Sequence, residues 1–94
     1  MFNNVDYTNE KFLITNEPVM RLATDIVEIL NQINKITIRG EDEFCSATVS
    51  IANIVTEVML RNITKTEKIS VDSKILDDGR MISTIEIIIT KIGN

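Results

Sequence analysis

An α+β fold, with two helices on one face of a mixed four-stranded sheet, follows from three features of the sequence. Short β-branched stretches alternate with amphipathic ones in the order β-α-β-α-β-β. The segment DDGRMISTIEIII (Asp77 to Ile89) sets an Asp-Gly turn directly before an Ile- and Thr-rich run, which marks a closing hairpin. The 94 residues contain no repeat, low-complexity stretch or linker that would divide them, so a single domain is expected over 10–94. Alternation at the start implies parallel pairing through right-handed crossovers, and the final hairpin is antiparallel.

Residues 1–9 read as a loose tail. Lys11 to Thr15 (KFLIT) reads as a short strand. Pro18 suits an early helical position, where its missing N–H is no loss, and Asn16 or Glu17 is placed to cap. From Val19 the apolar residues Leu22, Ala23, Ile26, Leu30 and Ile33 keep the spacing of one buried helix face. Lys35 to Arg39 (KITIR) alternates as a strand and Gly40 is expected to end it. A second helix is predicted from about Asp42 to Asn62, with Phe44, Thr48, Ile51, Val55 and Met59 along one stripe. Val49, Ala52 and Ile54 widen its apolar surface, so more than one neighbour should cover it. Lys68 to Leu76 alternates again, with Ile69, Val71 and Ile75 on one side, and the last strand runs from Met81 to about Ile92.

Composition narrows the function classes. The chain has 10 basic and 14 acidic residues. The imbalance lies in the first half: residues 1 to 47 hold eight acids against four bases, and the remainder holds six of each. Such a chain meets a polyanion against a repulsive mean field, so any nucleic-acid surface must be local. With few aromatics and no Trp, base-stacking platforms are poorly supplied. Cys45 is alone, so no internal disulfide is available, and without any His the thiol lacks a base. A small buried residue at a helix start is the expected role. Glu41, Asp42 and Glu43 are expected to face the helix N-terminus as carboxylates commonly do, rather than to hold a metal. No paired-carboxylate site, phosphate cradle or metal-ligand spacing points to catalysis or to a cofactor. No apolar run reaches membrane-spanning length and the start is no signal peptide. A soluble, cytoplasmic, non-enzymatic protein is expected.

Three stretches resemble the Alba family of archaeal chromatin and ribonucleoprotein proteins. NEPVM (Asn16 to Met20) resembles the opening of that family's first helix, usually two lysines followed by Pro-Val-Met. IRGEDEFCSATVSIANIV (Ile38 to Val55) has the length of the family's glycine-containing loop running into the second helix. DDGRMISTIEIII resembles its closing hairpin. The resemblance implies a dimer with the fold above, similar to the C-terminal domain of bacterial translation initiation factor 3. It also implies binding of DNA or RNA through the backbone, with little sequence preference and an association with the nucleoid or ribonucleoproteins.

The departures are as informative. Asn16 and Glu17 stand where the family has its lysine pair, Asp42 replaces a second glycine, and Glu43 and Ala47 replace basic residues. Arg39 and Gly40 at the loop, with Lys74 and Arg80 on the arm, remain as candidate contacts. The resemblance makes Ile51, Ile54, Val58, Met59, Ile87 and Ile88 candidates for the dimer interface. The expected partners are weakly bound nucleic acid and a second copy. A basic paralogue is the alternative partner in a heterodimer, and the alternative role is a protein-interaction or heterodimer subunit that keeps the scaffold but has lost most nucleic-acid contacts.

Overall fold

The computed structural model describes residues 11–93, so the tail expected over 1–9 lies outside the described residues. The elements are β1 (Phe12–Leu13), α1 (Val19–Leu30), β2 (Lys35–Glu41), α2 (Cys45–Asn53), β3 (Thr64–Ile75) and β4 (Met81–Lys91). A 3₁₀ turn, Asp42–Phe44, leads into α2, and a π-helical segment, Ile54–Met59, continues it. The sheet order is β1-β2-β4-β3. β1 runs parallel to β2, while β4 is antiparallel to both β2 and β3. The expected architecture therefore forms, with α1 and α2 packed on the same face.

That packing is dictated by the predicted stripes. Leu22, Ala23, Ile26 and Leu30 of α1 are buried, as are Thr48 and Ile51 of α2 and Val55 beyond it. They meet Ile36 and Ile38 of β2 and Ile85, Ile87 and Ile89 of β4 in one core. Each such aliphatic side chain contributes about 1.5–3 kcal/mol by leaving water. β4 is central because its Ile-rich run fills the floor beneath both helices.

The details differ from the sequence reading in several places. β1 is confined to Phe12–Leu13 within the expected Lys11 to Thr15, and α1 ends at Leu30, leaving Ile33 beyond it. Pro18 is the N-cap of α1 rather than its first helical residue, and neither Asn16 nor Glu17 caps by side chain. β2 does not stop at Gly40 but runs on to Glu41. The second helix ends at Met59, not Asn62: Leu60 N–H bonds Val55 O across five residues, and Asn62 turns the chain at φ 68°. This wider winding lets the consecutive residues Val55 and Thr56 both face inward, the Thr56 hydroxyl donating to Ala52 O at 2.9 Å. Finally, β3 starts at Thr64 rather than Lys68, and its apolar side (Ile69, Val71, Ile75) is exposed.

The Asp-Gly turn forms as read. Gly79 takes φ 89° and its N–H bonds Leu76 O at 2.9 Å. β2 reaches β4 only as far as Thr84, so from Ser73↔Ser83 to Ile75↔Met81 the β3–β4 ladder projects as a two-stranded arm.

Asp42 sits at φ 54°, a left-handed conformation that favours glycine. Asp42→Val should therefore destabilise by about 1–2 kcal/mol, whereas Asp42→Gly should leave stability level or slightly raised. Thermal melts of both variants check this.

Candidate nucleic-acid interface

Directly paired residues in a sheet project to the same face. In β2, Ile36, Ile38 and Gly40 point to the helices, and Lys35, Thr37, Arg39 and Glu41 point to the open side. Through the β2–β4–β3 register the open side also carries Glu86 of β4 and Lys65, Lys68, Ser70, Asp72 and Lys74 of β3. Arg39 thus stands on the strand that the alternation of Lys35 to Arg39 predicts, not at the loop where the family resemblance places it.

A chain of ion pairs crosses this face. Lys11 Nζ donates to Glu86 at 2.7 Å, and Arg39 Nη1 donates to the same carboxylate at 2.5 Å. Arg39 Nε donates to Glu41 at 2.9 Å, and Lys74 Nζ reaches Glu41 at 3.2 Å. The Arg39 guanidinium, then Lys74, hold Glu41 below the ordinary carboxylate range. Lys11, with Arg39 also contributing against desolvation, does the same for Glu86. A shallow groove of about 310 Å³ lies between Arg39, Ser70, Asp72, Lys74 and Glu86. At the arm's tip, Asp78 accepts both the backbone N–H and the Nε of Arg80, at 3.0 and 2.9 Å.

Three of the four candidate contacts therefore already face an internal carboxylate, and the structure brings Arg39 and Lys74 together through Glu41 while Arg80 stands apart. The fourth, Gly40, is buried within β2. A Cβ there would lie 1.9 Å from Thr48 Oγ1 and 2.7 Å from Phe44 O, so glycine is what lets α2 approach the strand.

The acidic cluster separates. Glu41 joins the ion-pair chain, while Asp42 and Glu43 are exposed and cap neither the 3₁₀ turn nor α2 by side chain. Cys45 opens α2 half-buried, its thiol near the carbonyls of Gly40 and Ser83. Among the described residues no group of three or more His, Cys, Asp or Glu converges on a metal position, and no helix is long and apolar enough to cross a membrane.

The interface candidates also scatter. Ile51 and Ile87, 0% and 1% exposed, belong to the chain's own core and offer a second chain no surface. An apolar stripe on a helix or strand looks the same in sequence whether a neighbour within the chain or outside it covers it. Ile88 is half-buried on the open face, opposite Thr37 and Lys68. Ile54 and Met59 are half-buried on the helix side and Val58 is 71% exposed. On that same side, the exposed Ile69 and Val71 of β3 lie opposite the buried Ile87 and Ile85.

The depressed carboxylates set an acid limit. Glu41 and Glu86 titrate lower in the folded than in the unfolded chain, so their stabilisation is complete above the ordinary carboxylate range and is lost as pH falls through their folded values. Urea midpoints should hold steady from neutral to mildly acid solution and then fall. Glu41→Gln with Glu86→Gln should flatten that descent.

The sheet order, the two helices on one face and the projecting hairpin define an Alba-like α+β protein. Alba from Thermoplasma volcanium is similar to this chain, with a TM-score of 0.76 and 26% identity over 84% of this chain and 96% of that one. No protein-family model matches the sequence, and no curated protein does.

Proposed function

We propose that this chain is a non-enzymatic nucleic-acid-binding protein, a single domain over residues 10–94 that works as a dimer in the cytoplasm, on the nucleoid or on ribonucleoproteins. It contacts the phosphate backbone of DNA or RNA with little sequence preference. The observation that carries this reading is the structural likeness to Alba over most of both chains. The projecting β3–β4 arm supports it, since two strands free of the sheet body can follow a groove. Arg39 beside Gly40, with Lys74 and Arg80, are the contacts in this reading.

Each of those cations must leave a carboxylate to meet a phosphate, so affinity is low. Fluorescence anisotropy with duplex DNA and duplex RNA should show binding at low salt that vanishes near physiological salt, with a shallow salt slope because few counterions are released. No binding at the lowest salt would sink the reading. The paired state of Arg39, Lys74 and Arg80 also favours a second reading, an acidic subunit whose basic paralogue supplies the cations. Stable co-purification with such a chain, and no duplex binding by this one alone, would select it.

Dimerisation is proposed through the helix side, where Val58 stands beside half-buried Ile54 and Met59 and the exposed Ile69 and Val71 extend the apolar surface. A chain this small gains from such cover. The unmodified protein should sediment as a dimer at micromolar concentration, and Val58→Glu should shift it to monomer without unfolding it. A monomeric parent at high concentration would rule the dimer out.

A further inference from the structure

We infer that the open face of the sheet, centred on Lys65 and Lys68 of β3 with Lys35 of β2, is a polyanion-binding surface that takes the phosphate backbone of a nucleic-acid duplex. This rests on the nucleic-acid reading above and adds to it a surface separate from the arm's tip.

The charge distribution is the first argument. The chain carries a net charge of −4. Yet among the described residues the open face gathers Lys11, Lys35, Arg39, Lys65, Lys68 and Lys74. Against them stand only Glu41, Glu67, Asp72 and Glu86. The other acids of the described residues lie elsewhere: Glu17 before α1, Asp25, Glu28 and Glu57 on the helical layer, Asp42 and Glu43 in the turn after β2, and Asp77 and Asp78 at the arm's tip. A protein polarised in this way turns its basic face toward a polyanion despite its overall sign.

The second argument is availability. Glu86 and Glu41 engage Lys11, Arg39 and Lys74, whereas Lys65 and Lys68 make no ion pair among the described residues. Lys35 is only loosely held by Glu67, at 3.4 Å. Cations without a partner release counterions on meeting phosphate and lose no internal bond.

The third is spacing. Lys65 and Lys68 lie opposite Thr90 and Ile88, two places apart on β4, so they sit about 7 Å from one another. Lys35 is also opposite Thr90 from the other side of β4, roughly 10 Å from Lys65. Lys74, opposite Ile82, lies about 20 Å farther along the strand. A duplex bears one phosphate per about 1.7 Å of axis, so a face of this length spans many of them. No aromatic side chain projects from β2, β3 or β4, which removes the stacking that single strands require.

The test uses the full chain, with short duplexes of DNA and of RNA and the matching single strands as probes, by anisotropy across a low-salt series. Lys65→Glu with Lys68→Glu should weaken duplex binding at least tenfold, and Lys65→Ala with Lys68→Ala should lower the salt slope by about two. Both positions are exposed on a strand whose pairing is through the backbone, and circular dichroism verifies the fold of each variant. If the parent binds duplex and both double variants bind equally well, this inference falls while the nucleic-acid reading stands, with Arg80→Ala then expected to carry the loss. If the parent binds no duplex at all, both fall. Single strands bound as tightly as duplexes would overturn the assignment to a duplex.

Discussion

Gly40→Ala is expected to cost about 2–3 kcal/mol of folding stability, the overpacking penalty of a methyl group forced between a strand and a helix. The added carbon would stand 1.9 Å from Thr48 Oγ1, 3.0 Å from Thr48 Cβ and 2.7 Å from the carbonyl oxygen of Phe44. The first contact is with a side chain that is itself fixed, because Thr48 Oγ1 donates to Phe44 O at 2.7 Å. The third is with backbone at the entry to α2 and yields only if the helix moves. Thr48→Ala in the Gly40→Ala background should therefore recover part of the loss and not all of it. Urea titrations of the four proteins in this cycle give the coupling, with the midpoint moving and the m-value unchanged. A Gly40→Ala variant as stable as its parent would mean that α2 does not lie this close to β2.

The second large effect is on binding. Asn16→Lys with Glu17→Lys should raise low-salt affinity for duplex by at least an order of magnitude. The pair adds three units of positive charge per chain beside the acidic end of β2, where Asn16 shares a cleft with Glu41 and Asp42. Both positions precede α1, both are exposed, and among the described residues the Glu17 side chain is held only by an exposed contact to Arg21 at 3.5 Å. Stability should therefore change little. Each new cation that meets a phosphate should steepen the salt slope by roughly one unit. An unchanged slope in a folded protein would place the nucleic acid away from this end of the sheet.

The helix α1 was legible because one periodic stripe, Leu22-Ala23-Ile26-Leu30, meets one sheet and leaves nothing to arbitrate. Gly40 was not, since glycine at the end of an alternating run reads as a stop, and its partner Thr48 declares itself only when the helix folds back. The arm was legible from Asp78-Gly79, whose backbone need is local. The basic face was hidden for a geometric reason. Lys65 and Lys68 are three residues apart, so simple alternation assigns them to opposite faces, but the bulge between Thr66 and Lys68 inserts one residue and returns both to the open side. Bulges leave no mark in period counting. Ion pairing was equally invisible: Glu86 and Arg39 are 47 positions apart, and only the β2–β4 register makes them neighbours.

β3 is also an outer strand of the sheet, twelve residues long, with Ile69, Val71 and Ile75 exposed along one side. An edge of that length presents a row of unpaired amides and carbonyls on which another chain can polymerise. Lysines at 65, 68 and 74 act as gatekeepers, because two such edges brought together would set like charges against one another. High salt screens that repulsion over about 3–10 Å, and alanine at these positions removes it. Concentrated protein should consequently lose solubility in strong salt, and Lys65→Ala with Lys68→Ala should fibrillise or precipitate sooner than the parent. Glutamate substitutions keep a charge at each gate and should stay in solution.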